Sequence, residues 1–343
     1  MKLLALIIPW LLTSTCTTKK KNPNTEFSTD SQIGEYVTSV FEDYKGHLWF
    51  GTIEKGIARY DGNELKYFTK ENGLPTNRVT SVKQDSIGVY WFQTGEGISR
   101  YDGKKFTTYR VNDDDIGSNM ISQFFIDSKG NCWVGTWSGV YLFDGQEFTS
   151  FELPTPQIET IINQDTKGWI TEITEDRQGN IWFGRDGYGA CKYDGQSFIH
   201  VLRKDGLHSN NITNIEFDDD GGIWFGTRVA EKDNPDPTRR TGKGGINRMV
   251  NDSITSFPII PALNTSDVYG MYKDAVGNIW ISSTTDGMYR YNGVSLDHYD
   301  IPISVMGILR DSKDQLWLAG AGGLYKIKQN GEVVNVTTAG PWN

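Results

Sequence analysis

Asp127-Ser128-Lys129-Gly130-Asn131-Cys132-Trp133-Val134-Gly135-Thr136 returns with few changes as Asp176-Arg177-Gln178-Gly179-Asn180-Ile181-Trp182-Phe183-Gly184-Arg185. Its tryptophan recurs at Trp49, Trp91, Trp133, Trp182, Trp224, Trp280 and Trp317, at intervals of 42, 42, 49, 42, 56 and 37 residues. A period of this length with four short apolar runs is the pattern of β-propeller blades, none of which can bury its faces alone. The fold expected is all-β: one seven-bladed propeller of four-stranded antiparallel blades spanning residues 32–337.

Aligned on tryptophan, the third repeat predicts strand a over 121–126, b over 132–136, c over 140–143 and d over 147–151. The a–b turn reads Asp-x-x-Gly in most copies, as at Asp43 to Gly46 and Asp127 to Gly130. Aspartate accepts backbone N–H groups two residues on, and glycine supplies the positive φ that closes the turn. The c–d turn is Asp-Gly or Asn-Gly, the strongest short hairpin signal. One or two carboxylates per turn are too few for calcium. In such a blade these tight turns share one face of the disc, while b–c loops and d–a crossovers share the other. Both long insertions, 152–169 and 228–243, belong to the second face. Loops on a rigid scaffold are where binding is usually built.

A net charge of -9 argues against nucleic acid as a partner. No apolar run approaches the length of about 18 residues that spans a membrane as a helix. At the start, Met1-Lys2 precedes an apolar stretch over residues 3–12, then Thr13-Ser14-Thr15-Cys16. This resembles a bacterial lipoprotein signal, with residues 1–16 exported and Cys16 lipidated; the alternative is a plainly secreted chain. Residues 17–31 are polar and read as a flexible tether. Cys132 and Cys191 fall in different blades and read as unbridged core thiols.

Gly73-Leu74-Pro75-Thr76-Asn77-Arg78-Val79, Gly206-Leu207-His208-Ser209-Asn210-Asn211-Ile212 and the Gly-Ile-x-Arg-Tyr-Asp-Gly runs at Gly56 and Gly97 resemble the two-component regulator propeller repeat. The resemblance covers about residues 32–337. It implies an extracytoplasmic sensor-type module, in the periplasm or at the cell surface, that recognises a glycan or small polar ligand. A membrane receptor or other envelope protein is the partner it implies.

Seven tryptophans in phase read as wedges between blades. Trp137 and Trp169 are out of phase and fall in the variable loops, where an exposed ring is a platform for sugar stacking. Glu54, Glu96, Arg185, Asp186, Tyr188, Arg228 and Asp286 occupy b–c loops and read as polar ligand contacts, each with a solvated-loop alternative. One aligned position of strand a carries Ser39, Ser81, Gln123, Glu172, Asn214, Gly270 and Gly307, a small or polar ring that predicts a water-lined channel. Glu172 is the charge in that ring. No cofactor or metal site is expected: of His47, His200, His208 and His298, only His208 falls towards the variable face. The blade phrasing is also broadly similar to that of antibiotic-inactivating propeller lyases. The alternative function is therefore a hydrolase or lyase at the same face, with a Glu96/Glu172 pair for acid–base work.

Overall fold

The computed structural model describes residues 32–112, 115–158, 168–228, 244–256, 263, 266–284, 286–328, 330–338 and 340. The expected leader with Cys16, the tether and the middle of both insertions lie outside the described residues.

Seven four-stranded antiparallel sheets form in strict chain order. In the third, the strands are Ile121–Ile126, Cys132–Thr136, Val140–Phe143 and Phe148–Phe151, so strand d begins one residue later than the sequence reading. Strand a of the first blade (Val37–Glu42) packs against strand a of the second (Val79–Gln84) and of the seventh (Ser304–Arg310), which closes the ring. The seventh blade takes its outer strand from Val333–Asn335, its own sequence.

Each in-phase tryptophan has a second partner besides the neighbouring blade. Its indole N–H donates to the a–b turn aspartate six residues earlier, at 2.8–2.9 Å in all seven blades, from Trp49–Asp43 to Trp317–Asp311. The same carboxylate accepts backbone N–H groups of the turn, as Asp127 does from Lys129 and Asn131. The indole then packs on the following blade: Trp49 with Val79 and Phe92, Trp133 with Ile170 and Phe183, Trp317 with Val37 and Phe50. One aspartate therefore fixes both the turn and the ring that cements two blades. In the last blade Asp314 takes the glycine position of this turn, at φ 62°.

The glycine two residues after tryptophan has a steric cause. A Cβ on Gly184 would lie 2.9 Å from the Ile212 methyl of the next blade and 3.0 Å from the Glu172 Cβ opposite it. Strands a and b trade volume at this point: Gly51, Gly135, Gly184 and Gly226 face Ser39, Gln123, Glu172 and Asn214, whereas Ser282 and Ala319 face Gly270 and Gly307. Gly184→Ala is expected to destabilise by about 1–2 kcal/mol through overpacking. Urea denaturation should show a lower midpoint with an unchanged slope.

Candidate functional site

Every strand a is interrupted near its start by a register shift, between Val37 and Ser39 in the first blade and at the equivalent place in the other six. A bulge re-aims side chains, and here it brings consecutive residues, such as Thr80 with Ser81 and Ser122 with Gln123, to the axis. The extra residues are Thr38, Thr80, Ser122, Thr171, Thr213, Tyr269 and Met306. All but the last carry a hydroxyl, forming a collar between a cavity in the funnel and a channel beneath it.

The funnel cavity has a volume of about 270 Å³ and is lined by Trp137, Trp169, Arg78, Arg228 and five of the collar hydroxyls, Tyr269 included. Trp137 follows the end of strand b in the third blade, and Trp169 directly precedes strand a of the fourth. Their rings pair at 4.9 Å between centroids and 31° between planes. Trp137 keeps 41% of its surface exposed. The Arg228 guanidinium sits 5.2 Å from the Trp169 ring centroid and ion-pairs with Asp186 at 2.6 Å. Burial opposes the Arg228 charge, but the carboxylate more than offsets it and raises the pKa. The arginine is thereby fixed as a cationic backing for the aromatic pair.

Other residues expected at this site are placed differently. Arg185 and Tyr188 are buried, not solvated: the guanidinium stacks 4.7 Å from the Tyr188 ring, donates to the Pro154 carbonyl at 2.9 Å, and so ties down the start of the crossover between blades 3 and 4. Asp186 is buried too, against Arg228. Arg185 reaches a neighbouring groove of about 500 Å³, which shares the Trp137 ring with the funnel. Glu54 and Glu96 are exposed, the latter 3.4 Å from Arg110, and Asp286 accepts from Ser266 at 3.3 Å. None of these three lines the funnel cavity.

The channel of about 280 Å³ below the collar is lined by Ser39, Ser81, Gln123, Glu172 and Asn214 and, among residues the aligned ring leaves out, by Lys83. Lys83 lies two residues beyond Ser81 on the same strand, hence on the same face. Glu172 accepts from the Ile173 N–H at 3.2 Å and the Asn214 amide at 3.4 Å. Burial drives its pKa up to about 8; Lys83 opposes the rise and Glu216 adds to it. Cys191 is buried, which pushes its thiol up to about 11, and neither it nor Cys132 is bridged.

Residues 31–54, 115–138 and 206–228 match the family described as "Two component regulator propeller". No curated protein matches the chain. Among solved structures it resembles the extracellular domain of a hybrid two component system from B. thetaiotaomicron, at 20% identity and a TM-score of 0.66, over 85% of this chain and 39% of that one. The extracellular domain of a one component system from the same organism gives 20% and 0.68, over 89% and 42%. Virginiamycin B lyase from Staphylococcus aureus gives 16% and 0.65, over 85% and 95%. The chain thus spans about two fifths of the sensor structures and nearly all of the lyase, and at these identities the likeness is one of fold. By its matching repeats and its architecture, the chain is a seven-bladed β-propeller related to the two-component regulator propeller family.

Proposed function

We propose that this propeller is an extracytoplasmic recognition module, anchored through Cys16, that binds a glycan or another small polar ligand in its funnel. The observation that carries the reading is the Trp137–Trp169 pair: two tryptophans outside the repeat phase, tilted against each other, one part-exposed at the cavity. The in-phase tryptophans are bonded to their turn aspartates, and all but the half-buried Trp91 are buried. The pair has instead the amphipathic setting of a sugar platform, with hydroxyls below and a fixed guanidinium behind. Binding rather than turnover is favoured because the described lining of the cavity holds arginines, hydroxyls and apolar side chains, with no histidine or carboxylate to serve as a base. A membrane receptor or other envelope protein would then read the bound state.

A thermal-shift screen of the purified protein against mono- and oligosaccharides tests this. A bound ligand should raise the melting temperature with dose and be recovered chemically unchanged. Trp137→Ala is expected to weaken that ligand at least tenfold in calorimetric titration. Because the ring is part-exposed, the stability lost should stay within about 1 kcal/mol. Conversion of the sugar by the purified protein would replace this reading with the hydrolase or lyase one.

A further inference from the structure

The second blade differs from the other six along the axis. Its innermost chain runs Arg78-Val79-Thr80-Ser81-Val82-Lys83, and the bulge at Thr80 turns Thr80, Ser81 and Lys83 towards the centre. Arg78 stands at the funnel cavity above them, exposed, and Lys83 in the channel below. At about 3.3 Å per residue, this one strand carries hydrogen-bond donors over roughly 16 Å, from the rim to the channel. The equivalent positions of the third blade are Met120, Ser122, Gln123 and Phe125, and those of the fourth are Trp169, Thr171, Glu172 and Thr174.

Lys83 lies deep within the disc yet keeps accessible surface, because it faces the channel. Among the described residues no acceptor bonds its ammonium; its neighbour is the Phe125 ring, 5.7 Å from the centroid. A buried ammonium without an acceptor is costly unless something supplies one. The carboxyl that faces it across the axis is Glu172 on the fourth blade, and Glu216 of the fifth acts on Glu172 in turn. Glu216 is engaged by the Lys273 N–H at 3.1 Å and Glu172 by Asn214. Glu172 favours the Lys83 charge through space, though among the described residues no ion pair within 4 Å joins them.

We propose that the axial channel is a second binding site, for a small carboxylate, with the Lys83 ammonium as its charged anchor and the Ser39 and Ser81 hydroxyls as further donors. The site lies beneath the collar and does not depend on sugar binding in the funnel. Burial depresses the Lys83 pKa, and a bound carboxylate would reverse that penalty. Burial raises the Glu172 pKa, which lessens the charge that would oppose the anion. The carboxylate has two sources: a free small acid, or an acidic group on a ligand seated in the funnel that reaches through the collar.

The test uses thermal unfolding and calorimetry of the full chain with sodium acetate, with sodium chloride at matched ionic strength, and with neutral acetamide. Acetate is expected to stabilise saturably beyond chloride, and acetamide to do nothing. Lys83→Met should weaken acetate at least tenfold, whereas Trp137→Ala should leave it unchanged. Should the methionine variant fail to fold, Lys83→Gln and Lys83→Arg replace it, the arginine alone retaining the response. Glucuronate against glucose separates the sources: dependence on both Trp137 and Lys83 assigns the carboxylate to a funnel ligand, dependence on Lys83 alone to a free acid. The proposal falls if neither acid acts beyond chloride, or if Lys83→Met responds like the parent. A sugar screen without hits would overturn the funnel reading and leave this one standing.

Discussion

Asp43→Ala is expected to remove about 3–5 kcal/mol of folding stability, a large share of what a domain possesses. Asp43 is 3% exposed and accepts four hydrogen bonds: from the Lys45 and His47 N–H groups at 2.9 Å, the Trp49 indole at 2.8 Å and the Tyr90 hydroxyl of the second blade at 2.8 Å. Alanine strands a buried indole N–H and two turn donors together, and it unlinks the blades. Asp43→Asn keeps the turn bonds through its carbonyl but sets an amide N–H against the indole N–H, so an intermediate loss of about 2 kcal/mol is expected. Burial alone would raise the Asp43 pKa; the bonds from Trp49, His47, Tyr90 and Lys45 more than offset this and lower it. A carboxylate whose folded pKa is depressed stabilises above its unfolded value and loses that contribution as pH falls through the folded one. The gap between parent and Asp43→Ala in chemical denaturation should therefore be full at pH 7 and shrink below about pH 4. A gap of the same size at pH 7 and pH 3 would count against the carboxylate as its source.

The second large effect runs the other way. Glu172→Gln is expected to stabilise the fold by on the order of 1–3 kcal/mol near pH 8. Glu172 has its pKa pushed up to about 8 by burial, so the folded chain holds a proton that the unfolded chain releases near the ordinary carboxylate value. Between those two values the unfolded state binds fewer protons, and stability falls as pH rises; above the folded pKa the slope vanishes. Glutamine has no proton to lose, and its carbonyl still accepts from the Ile173 N–H, while its amide nitrogen replaces the oxygen beside Asn214. Unfolding curves across pH 5–8.5 should converge at the acid end and separate towards the alkaline end. Parallel curves would show that Glu172 ionises freely in the folded protein.

The architecture was readable because one tryptophan per blade fixes phase, and phase fixes strand direction. The link between tryptophan and turn was present as well, since Asp43 to Trp49 and Asp311 to Trp317 share a spacing of six residues. Treated as separate motifs, turn and wedge conceal the bond between them. Lys83 escaped because the alignment at Ser81 follows one layer of the axis, whereas strand alternation brings Lys83, two residues on, to the same face; the bulge adds Thr80 on the other side of Ser81. The burial of Arg185 and Tyr188 escaped because polar residues in a short b–c hairpin read as ligand contacts or as solvated, whereas Arg185 folds inward to reach Pro154. Trp137 and Trp169 stood out from the sequence; that their rings pair follows only from the fold, since they lie 32 positions apart.

The seam between the first and seventh blades bears on force. Five residues ahead of the first strand stitch it shut: the Ile33 N–H to the Thr337 carbonyl at 3.1 Å, the Gly322 N–H to the Glu35 carbonyl at 2.9 Å, and the Tyr67 hydroxyl to the Gln32 carbonyl at 2.6 Å, with Ile33 wholly buried. Tension applied through the chain before residue 32 enters the ring at this stitch and nowhere else. It loads the Gln32 and Ile33 contacts first, then the Tyr36–Ala321 bridge, before any blade is strained. The seam is thus the propeller's mechanical fuse: it shares the loop face of the funnel but belongs to the first and seventh blades, neither of which lines the cavity, so it would open before the cavity felt the pull.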